Sequence, residues 1–245
     1  MERNTRPTVA TVYAAGPLAV GAVIEVGEGA AQHLRVRRLA PGARVRVANG
    51  AGAAGGGTLT RLGRFDAQIA LDEVWDLPSP PAIHLIVPVA DRDRMLWLAE
   101  KSTELGIASW RPALWERSRS VSPRGEGPRF REKVVARMVS ALEQSGTGWL
   151  PEVFAERPIG DVGRAAPVGA RVLLDRSGEP LLSGAVGAPV TLAVGPEGGV
   201  EDAERELLEG AGFRRVSLAA SNLRFETAAV AAIAVIRAAL AAGAA

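Results

Sequence analysis

The segment 194–200 reads VGPEGGV and lies between the apolar run PVTLAV and the acidic segment EDAERELLEG. A strand that leads into a glycine-rich turn and then a helix brings the turn to the carboxyl edge of an open α/β sheet, where ligands bind. The glycines let a ligand approach the backbone closely. Because Glu197 and the acids at 201 and 202 would repel a phosphate, the segment favours a nucleoside whose attached group is not an anion. A plain structural turn is the alternative.

A second segment with the same build reads SLAASNLRFETAAVAAIAVI, and it carries Arg224 and Glu226 at the start of an otherwise apolar helix. We expect both side chains at the carboxyl edge of the same sheet, beside the first turn of the helix. A cation and a carboxylate at that edge would suit a catalytic site. The alternative is an ordinary surface ion pair, which contributes little to stability.

Two further polar motifs lie on predicted helices. KSTELGI, with the preceding Glu100, sets Glu100 and Glu104 four residues apart on one helix face. LEQSG places Glu143 and Gln144 at the end of an apolar stripe. The first motif fits a solvated helix face, and the second fits either a frayed helix end or the wall of a site.

The residue types exclude several kinds of chemistry. The chain has no Cys, which rules out disulfides, thiolate nucleophiles and Cys-ligated metals. Two histidines in the whole chain disfavour a His-rich metal site, so we expect no metal. GAGAAG (50–55) matches the dinucleotide motif, but the strand-like TLTRL follows it where a helix is required, which disfavours a dehydrogenase.

Basic residues are clustered although the net charge is only +2. The segment 33–46 holds five arginines and no acid, and 111–137 holds eight basic residues against three acids. Such clusters on a nearly neutral chain indicate a polyanionic partner, nucleic acid in particular. A solvated surface is the alternative.

The chain divides into two patterns. Residues 8–76 contain short strand-like runs separated by Gly, Pro and Asn, which predicts a small β-barrel. The proline-rich 77–81 is the expected linker between a β domain (1–76) and a second domain (82–245). In the second domain, strands alternate with helices, which predicts a parallel α/β sheet covered on both faces. The expected strands are IHLIVPVA, SWRPAL, RVLLD, PVTLAV and RRVSLA, and the expected helices are DRDRMLWLAEKSTELG, PRFREKVVARMVSALEQSG, 201–210 and 226–242.

The sequence predicts a cytoplasmic protein without a membrane partner. The start MERNTRPTVATVY lacks the apolar core of a signal peptide. The longest strongly apolar run, 228–236, ends at Arg237 and is too short to span a bilayer.

The motifs KSTELGI, LEQSG followed by LPEV, GPEGG followed by acids, and LRFETAA occur in this order along the chain. Together they resemble the RsmE-type 16S ribosomal RNA (uracil-N3)-methyltransferases of the SPOUT class. The basic HLRVRR with Gly42 resembles the N-terminal motif of that family. The resemblance implies a PUA-like N-terminal barrel that binds RNA and a SPOUT α/β domain with a C-terminal trefoil knot. It also implies S-adenosylmethionine as methyl donor, 16S ribosomal RNA of the 30S subunit as partner, and a homodimer.

The resemblance also implies roles for particular residues. Three loops would bind the donor, mainly through backbone hydrogen bonds, and RNA would contact the basic N-terminal motif. The implied donor-binding residues are Leu174, Asp175, Val194, Gly195, Pro196, Glu197, Gly198, Gly199, Leu218, Asn222 and Leu223. The implied RNA-binding residues are His33, Arg35, Arg37 and Arg38. Arg224 would stabilise the developing uracil anion, and Glu226, Glu197 or solvent would accept the proton.

The chain departs from the family pattern at several positions. Ala219, Ser221 and Asn222 stand where the family usually has Gly, Arg and an apolar residue, and Thr147 follows EQSG where Arg is usual. Near the N-terminus, TVY stands where an Arg commonly precedes two aromatics. A catalytically weak or silent RNA-binding or ribosome-assembly protein on the same fold is therefore the alternative to an active enzyme.

Overall fold

The structure is a computed structural model that describes residues 10–118, 122–181 and 187–242. The chain forms two compact units, and the boundary between Ser79 and Pro80 lies within the expected linker. The first unit also includes Val139–Leu150, a segment that was expected in the second domain. Part of the expected basic segment 111–137 lies outside the described residues.

The first unit is built on a five-stranded sheet with the order β1-β3-β4-β5-β2. Its strands are β1 (Thr11–Tyr13), β2 (Val23–Val26), β3 (Arg44–Ala48), β4 (Ala53–Leu62) and β5 (Ala67–Asp76). The sheet is curled into a half-barrel, and no pairing between its edge strands β1 and β2 is present in the described residues. The expected barrel is therefore open. Strand β4 begins at Ala53, inside GAGAAG, and continues to Leu62 where a dinucleotide site would need a helix.

Helix α1 (Glu28–Val36) corrects the expectation that 8–76 is entirely β. The alternating letters of HLRVRR resemble a strand, but Ala31 and Leu34 are buried at helical spacing in the core of the first unit. The basic motif therefore lies on a helix and on the turn that ends it.

The second unit is built on a parallel sheet with the order β12-β10-β11-β6-β7-β8, and β9 also pairs with β7. Its strands are β6 (Ile83–Pro88), β7 (Ser109–Leu114), β8 (Glu152–Val153), β9 (Arg157–Pro158), β10 (Ala170–Pro180), β11 (Val190–Val194) and β12 (Arg214–Ser217). The helices that follow α1 along the chain are α2 (Arg92–Glu104), α3 (Pro128–Ser145), α4 (Ile159–Arg164), α5 (Asp202–Gly210) and α6 (Phe225–Ala242). The expected parallel α/β sheet is confirmed. Strands β8 and β9 and helix α4 are too short to show a period in the sequence. The trefoil knot stays a prediction.

Helix α6 is twice as long as the apolar run seen in the sequence, and by length and composition it could cross a membrane. The same features are typical of a core helix. Ala229, Ile233 and Ile236 are buried, and α6 packs against α2 and β11. In this structure α6 is part of the core of the second unit.

Candidate active site

A cavity of about 580 Å³ lies where strands β11 and β12 end. Three segments surround it: a bulge in β10, the glycine-rich loop 194–200 and the loop 217–223. The bulge was expected as a loop after RVLLD, but β10 continues through it to Pro180. Every residue implied to bind a methyl donor lines this cavity, namely Leu174, Asp175, Val194, Gly195, Pro196, Glu197, Gly198, Gly199, Leu218, Asn222 and Leu223.

The loop 194–200 depends on glycine at two positions. Gly199 has φ of 87°, a conformation that residues with side chains rarely adopt. A Cβ on Gly195 would lie 2.5 Å from Cγ2 of Val200, so no larger residue fits there without a shift. The amide of Gly199 donates to the carbonyl of Pro196 at 2.9 Å and closes the turn. Helix α5 then begins with a capping box formed by Glu201 and Glu204.

Two arginines from distant parts of the chain hold this loop. Arg117 donates through Nη1 to the carbonyl of Gly198 at 2.8 Å, and its Nε lies 2.5 Å from Oε1 of Glu201. Arg94, in the first turn of α2, forms an ion pair with Glu197. Glu197 lines the cavity, and its carboxylate has a cationic partner, Arg94, that lies outside the cavity lining.

Asp175 and Arg205 connect the β10 bulge to helix α5. Arg205 Nε lies 2.8 Å from Oδ2 of Asp175, and Arg205 also pairs with Asp202 and donates to the carbonyl of Val200. Burial acts to raise the pKa of Asp175, but hydrogen bonds from Ser177 and Arg205 outweigh it and lower the pKa overall. Asp175 is therefore ionised at neutral pH.

The two expected catalytic residues lie at the start of α6, outside the cavity lining. Arg224 is exposed and has no ion-pair partner among the described residues. Glu226 is buried, with its Oε1 4.0 Å from Nε of Arg94. Its Oε2 is buried without a hydrogen-bond partner in the described part of the chain. Arg94 thus lies between Glu197 and Glu226 and joins the glycine-rich loop to α6.

Several residues of this site were not anticipated from the sequence. Three arginines contact residues of the site that are far from them in the sequence, and no local motif marks the segments in which they lie. They are Arg94, Arg117 and Arg205. Arg176 and Ser177 line the cavity because β10 bulges, and a bulge has no sequence signature in a run such as RVLLDRSGEP. Ala219 and Ser221, which depart from the family pattern, also line the cavity.

The four residues expected to bind RNA lie in the first unit. His33 and Arg35 are on α1, and Arg37 and Arg38 follow at its end. The three arginines are exposed, whereas His33 is half-buried and its Nε2 has no partner in the described residues. The three arginines are therefore accessible to solvent, and His33 is more enclosed.

The comparisons with known proteins agree with this geometry. The family model described as an RNA methyltransferase domain matches residues 77–237. A parallel α/β sheet with three segments around a cavity at the ends of its strands, preceded by a curled β unit, defines a methyltransferase of the SPOUT class.

A curated relative shows to which family of methyltransferases the chain belongs. Ribosomal RNA small subunit methyltransferase E from Synechocystis sp. is 31% identical over 216 residues, which cover 84% of this chain and 69% of that protein. The chain belongs to the ribosomal RNA small subunit methyltransferase E family of RNA methyltransferases.

Solved structures show the same fold over nearly the whole chain. The enzyme of this family from Neisseria gonorrhoeae, bound to S-adenosylmethionine, is 28% identical with a TM-score of 0.82, covering 94% of this chain and 98% of that one. The methyltransferase Lpg2936 from Legionella pneumophila, in complex with S-adenosylmethionine, is 26% identical with a TM-score of 0.82, covering 96% and 98%.

Proposed function

We propose that this protein transfers a methyl group from S-adenosylmethionine to N3 of a uridine in 16S ribosomal RNA of the small subunit. The observation that carries the proposal is the cavity lined by every residue implied to bind the donor. Arg94 and Arg205 are engaged by Glu197 and Asp175, so these arginines are not available to a phosphate, which fits a donor that carries none. The family membership of the chain supports the same reaction.

The residues at the start of α6 suit the chemistry at the uracil. The donor supplies an electrophilic methyl group carried on a sulfonium. Uracil N3 must lose its proton before the N–C bond forms and the C–S bond breaks, and Arg224 would stabilise the anion that develops on the ring. Glu226 is better suited than Glu197 to accept the proton. One of its oxygens has no hydrogen-bond partner in the described residues and the other lies 4.0 Å from Arg94, whereas Glu197 is closely paired with the same arginine.

The two units would divide the work. The second unit would bind the donor and carry Arg224 and Glu226, and the first would bind RNA through the α1 region, in the manner of a PUA-like domain. N3 lies on the pairing edge of uracil, so the target base must be unpaired or extruded. We propose that the enzyme acts in the cytoplasm, where ribosomes are assembled, and as a homodimer, which sedimentation of the purified protein would test.

Calorimetry and a methylation assay test the function. The protein should bind S-adenosylmethionine and transfer label from it to 30S subunits that lack the modification, with N3-methyluridine as the product. Arg224→Ala should abolish transfer and leave donor affinity within a few-fold, and the control Arg164→Ala, which alters an exposed ion pair on α4, should be fully active. Donor binding without transfer by the wild type would favour the silent RNA-binding alternative, and an active Arg224→Ala enzyme would refute the role of Arg224.

A further inference from the structure

The turn between β4 and β5 presents an aromatic side chain to solvent. Phe65 is 57% exposed, and the guanidinium carbon of its neighbour Arg64 lies 5.0 Å from the centroid of its ring. A phenylalanine at a hairpin tip contributes little to the core of its own unit, and exposing its ring to water is unfavourable. An exposed ring beside a guanidinium group is a surface on which a nucleobase can stack.

Hydrogen bonds hold this turn in one conformation. The amide of Gly63 donates to the carbonyl of Asp66 at 2.8 Å, and Arg61 pairs with Asp66 at 2.6 Å. Arg35 of α1 donates through Nη1 to the carbonyls of Gly63 and Arg64, both at 2.6 Å. The hairpin tip and the basic helix α1 are therefore tied together, so that Phe65 stands on a braced turn next to α1.

The end of α1 carries a second unusual feature. Arg38 has φ of 57°, the only positive φ of a residue other than glycine in the described chain. It occupies the position where a helix-ending turn usually has glycine, and the amide of Leu39 donates back to the carbonyl of Leu34. An arginine held there costs about 1 kcal/mol that glycine would not, and it adds a cation at the end of α1.

The charges of the two segments have one dominant sign. Residues 28–38 and 61–66 together carry five arginines, which are Arg35, Arg37, Arg38, Arg61 and Arg64, against the two acids Glu28 and Asp66. One of these acids, Asp66, is already paired with Arg61. Two segments with an excess of positive charge, joined by Arg35 and carrying an exposed aromatic ring, are complementary to a single-stranded polyanion whose bases can stack.

We infer that the α1 end and the hairpin tip form one RNA-contact surface, here called the Phe65 surface, on which an unpaired base of the ribosomal RNA stacks against Phe65. The arginines around it contact the flanking phosphates, and Arg35 positions the tip through its carbonyl contacts. This inference rests on the proposed function and adds to it a base-stacking residue and a brace that the basic motif alone does not contain.

Binding of a fluorescein-labelled 12-nucleotide oligouridylate to the full-length protein tests the inference. We expect Phe65→Ala to weaken binding at least about fivefold and Phe65→Trp to retain it, because stacking on an aromatic face tolerates any ring. Arg64→Gln should weaken binding and reduce the slope of log affinity against log salt by about 0.7. Arg38→Gly should have a melting temperature equal to or above that of the wild type and still bind RNA less tightly. Weaker binding would then reflect the loss of the contact between Arg38 and RNA, since the fold is not destabilised.

Matched measurements decide the result. Val20→Ala, another exposed apolar residue of the first unit, should bind RNA like the wild type, and every variant should keep the wild-type affinity for S-adenosylmethionine. Unchanged RNA affinity of Phe65→Ala overturns the Phe65 surface and leaves the proposed function standing. Loss of binding to 30S subunits with normal affinity for protein-free RNA would also overturn it, since the surface would then contact a ribosomal protein. A wild type that binds neither donor nor RNA would end the proposed function itself.

Discussion

Asp175 and Arg205 lie 30 positions apart in the sequence, and their side chains meet at 2.8 Å beside the cavity. The Asp175 side chain is only 11% exposed, and Arg205 extends the contact to Asp202 and to the carbonyl of Val200. This one arginine thereby connects the β10 bulge to the glycine-rich loop and to the first turn of α5. Two of the three segments around the cavity are therefore held to each other by its contacts.

Asp175→Asn should lower both stability and donor affinity. The pKa of Asp175 is lowered in the folded protein, so its carboxylate stabilises the fold above its ordinary pKa of 3.8 and loses this effect as the pH falls through the folded value. We expect a loss of about 2 kcal/mol of unfolding free energy at pH 7, shrinking toward pH 3, as measured by urea titration. The control Asp161→Asn alters an exposed ion pair and should change the unfolding free energy by less than about 0.5 kcal/mol. Equal effects of the two substitutions would argue against a stabilising role for the Asp175–Arg205 ion pair.

Arg94→Ala should disturb the glycine-rich loop 194–200. The substitution leaves Glu197 without its partner and the buried Glu226 without the guanidinium 4.0 Å away. We expect donor affinity, measured by calorimetry, to fall about tenfold and the unfolding free energy to fall by about 1 to 3 kcal/mol, because a buried carboxylate loses its compensating charge. Arg137→Ala, which breaks a surface pair with Glu100, serves as the control. Wild-type donor affinity in Arg94→Ala would show that the loop keeps its shape unaided.

Glu143→Gln should stabilise the protein at neutral pH. Burial raises the pKa of Glu143, although the amide of Tyr13, which donates to Oε1 at 3.0 Å, and the nearby His33 act in the opposite direction. A raised pKa in the folded state means that ionisation costs stability as the pH rises above the ordinary value of 4.5. The neutral glutamine keeps an acceptor for the amide of Tyr13. In urea titrations we therefore expect the unfolding free energy of Glu143→Gln to exceed that of the wild type by up to about 1 kcal/mol at pH 8 and not at all at pH 4. A loss at pH 8 would contradict this account, and a loss of methyl transfer despite the gain would show that the charge serves function.

Arg237→Ala should be the most destabilising of these changes. The Arg237 guanidinium donates to the carbonyls of Leu105, Pro81 and Gly106 at 3.1, 2.6 and 2.5 Å, and so completes the end of α2. Removing the guanidinium leaves three carbonyls without this donor. We expect the unfolding free energy, measured by urea titration, to fall by about 2 to 4 kcal/mol. Arg237→Lys should recover only part of the loss, because an ammonium group cannot reproduce the planar fork. Full stability of the alanine variant would mean that water replaces all three contacts.

Much of the site could be read from local sequence. GPEGG after a buried strand, and LRFETAA after another, have the composition of strand–turn–helix units, and parallel strands carry such turns to one edge of a sheet. For this reason the loops that follow these two strands meet at one cavity, whereas Leu174 and Asp175 were implied by the family resemblance alone. The order of strands and helices α2, α3, α5 and α6 followed from hydrophobic periodicity, which is a property of short segments.

The remainder depended on contacts between distant segments. HLRVRR has the alternation of a strand, and only burial of Ala31 and Leu34 in the core of the first unit makes it a helix. The ion pair of Glu197 could not be predicted from the sequence of its loop, because its partner Arg94 lies 103 residues away on α2. Local pattern thus determined which segments reach the site, since backbone preference and periodicity act over a few residues. Tertiary packing alone decided which charges are paired there, since the energy of an ion pair depends on distance and burial in space.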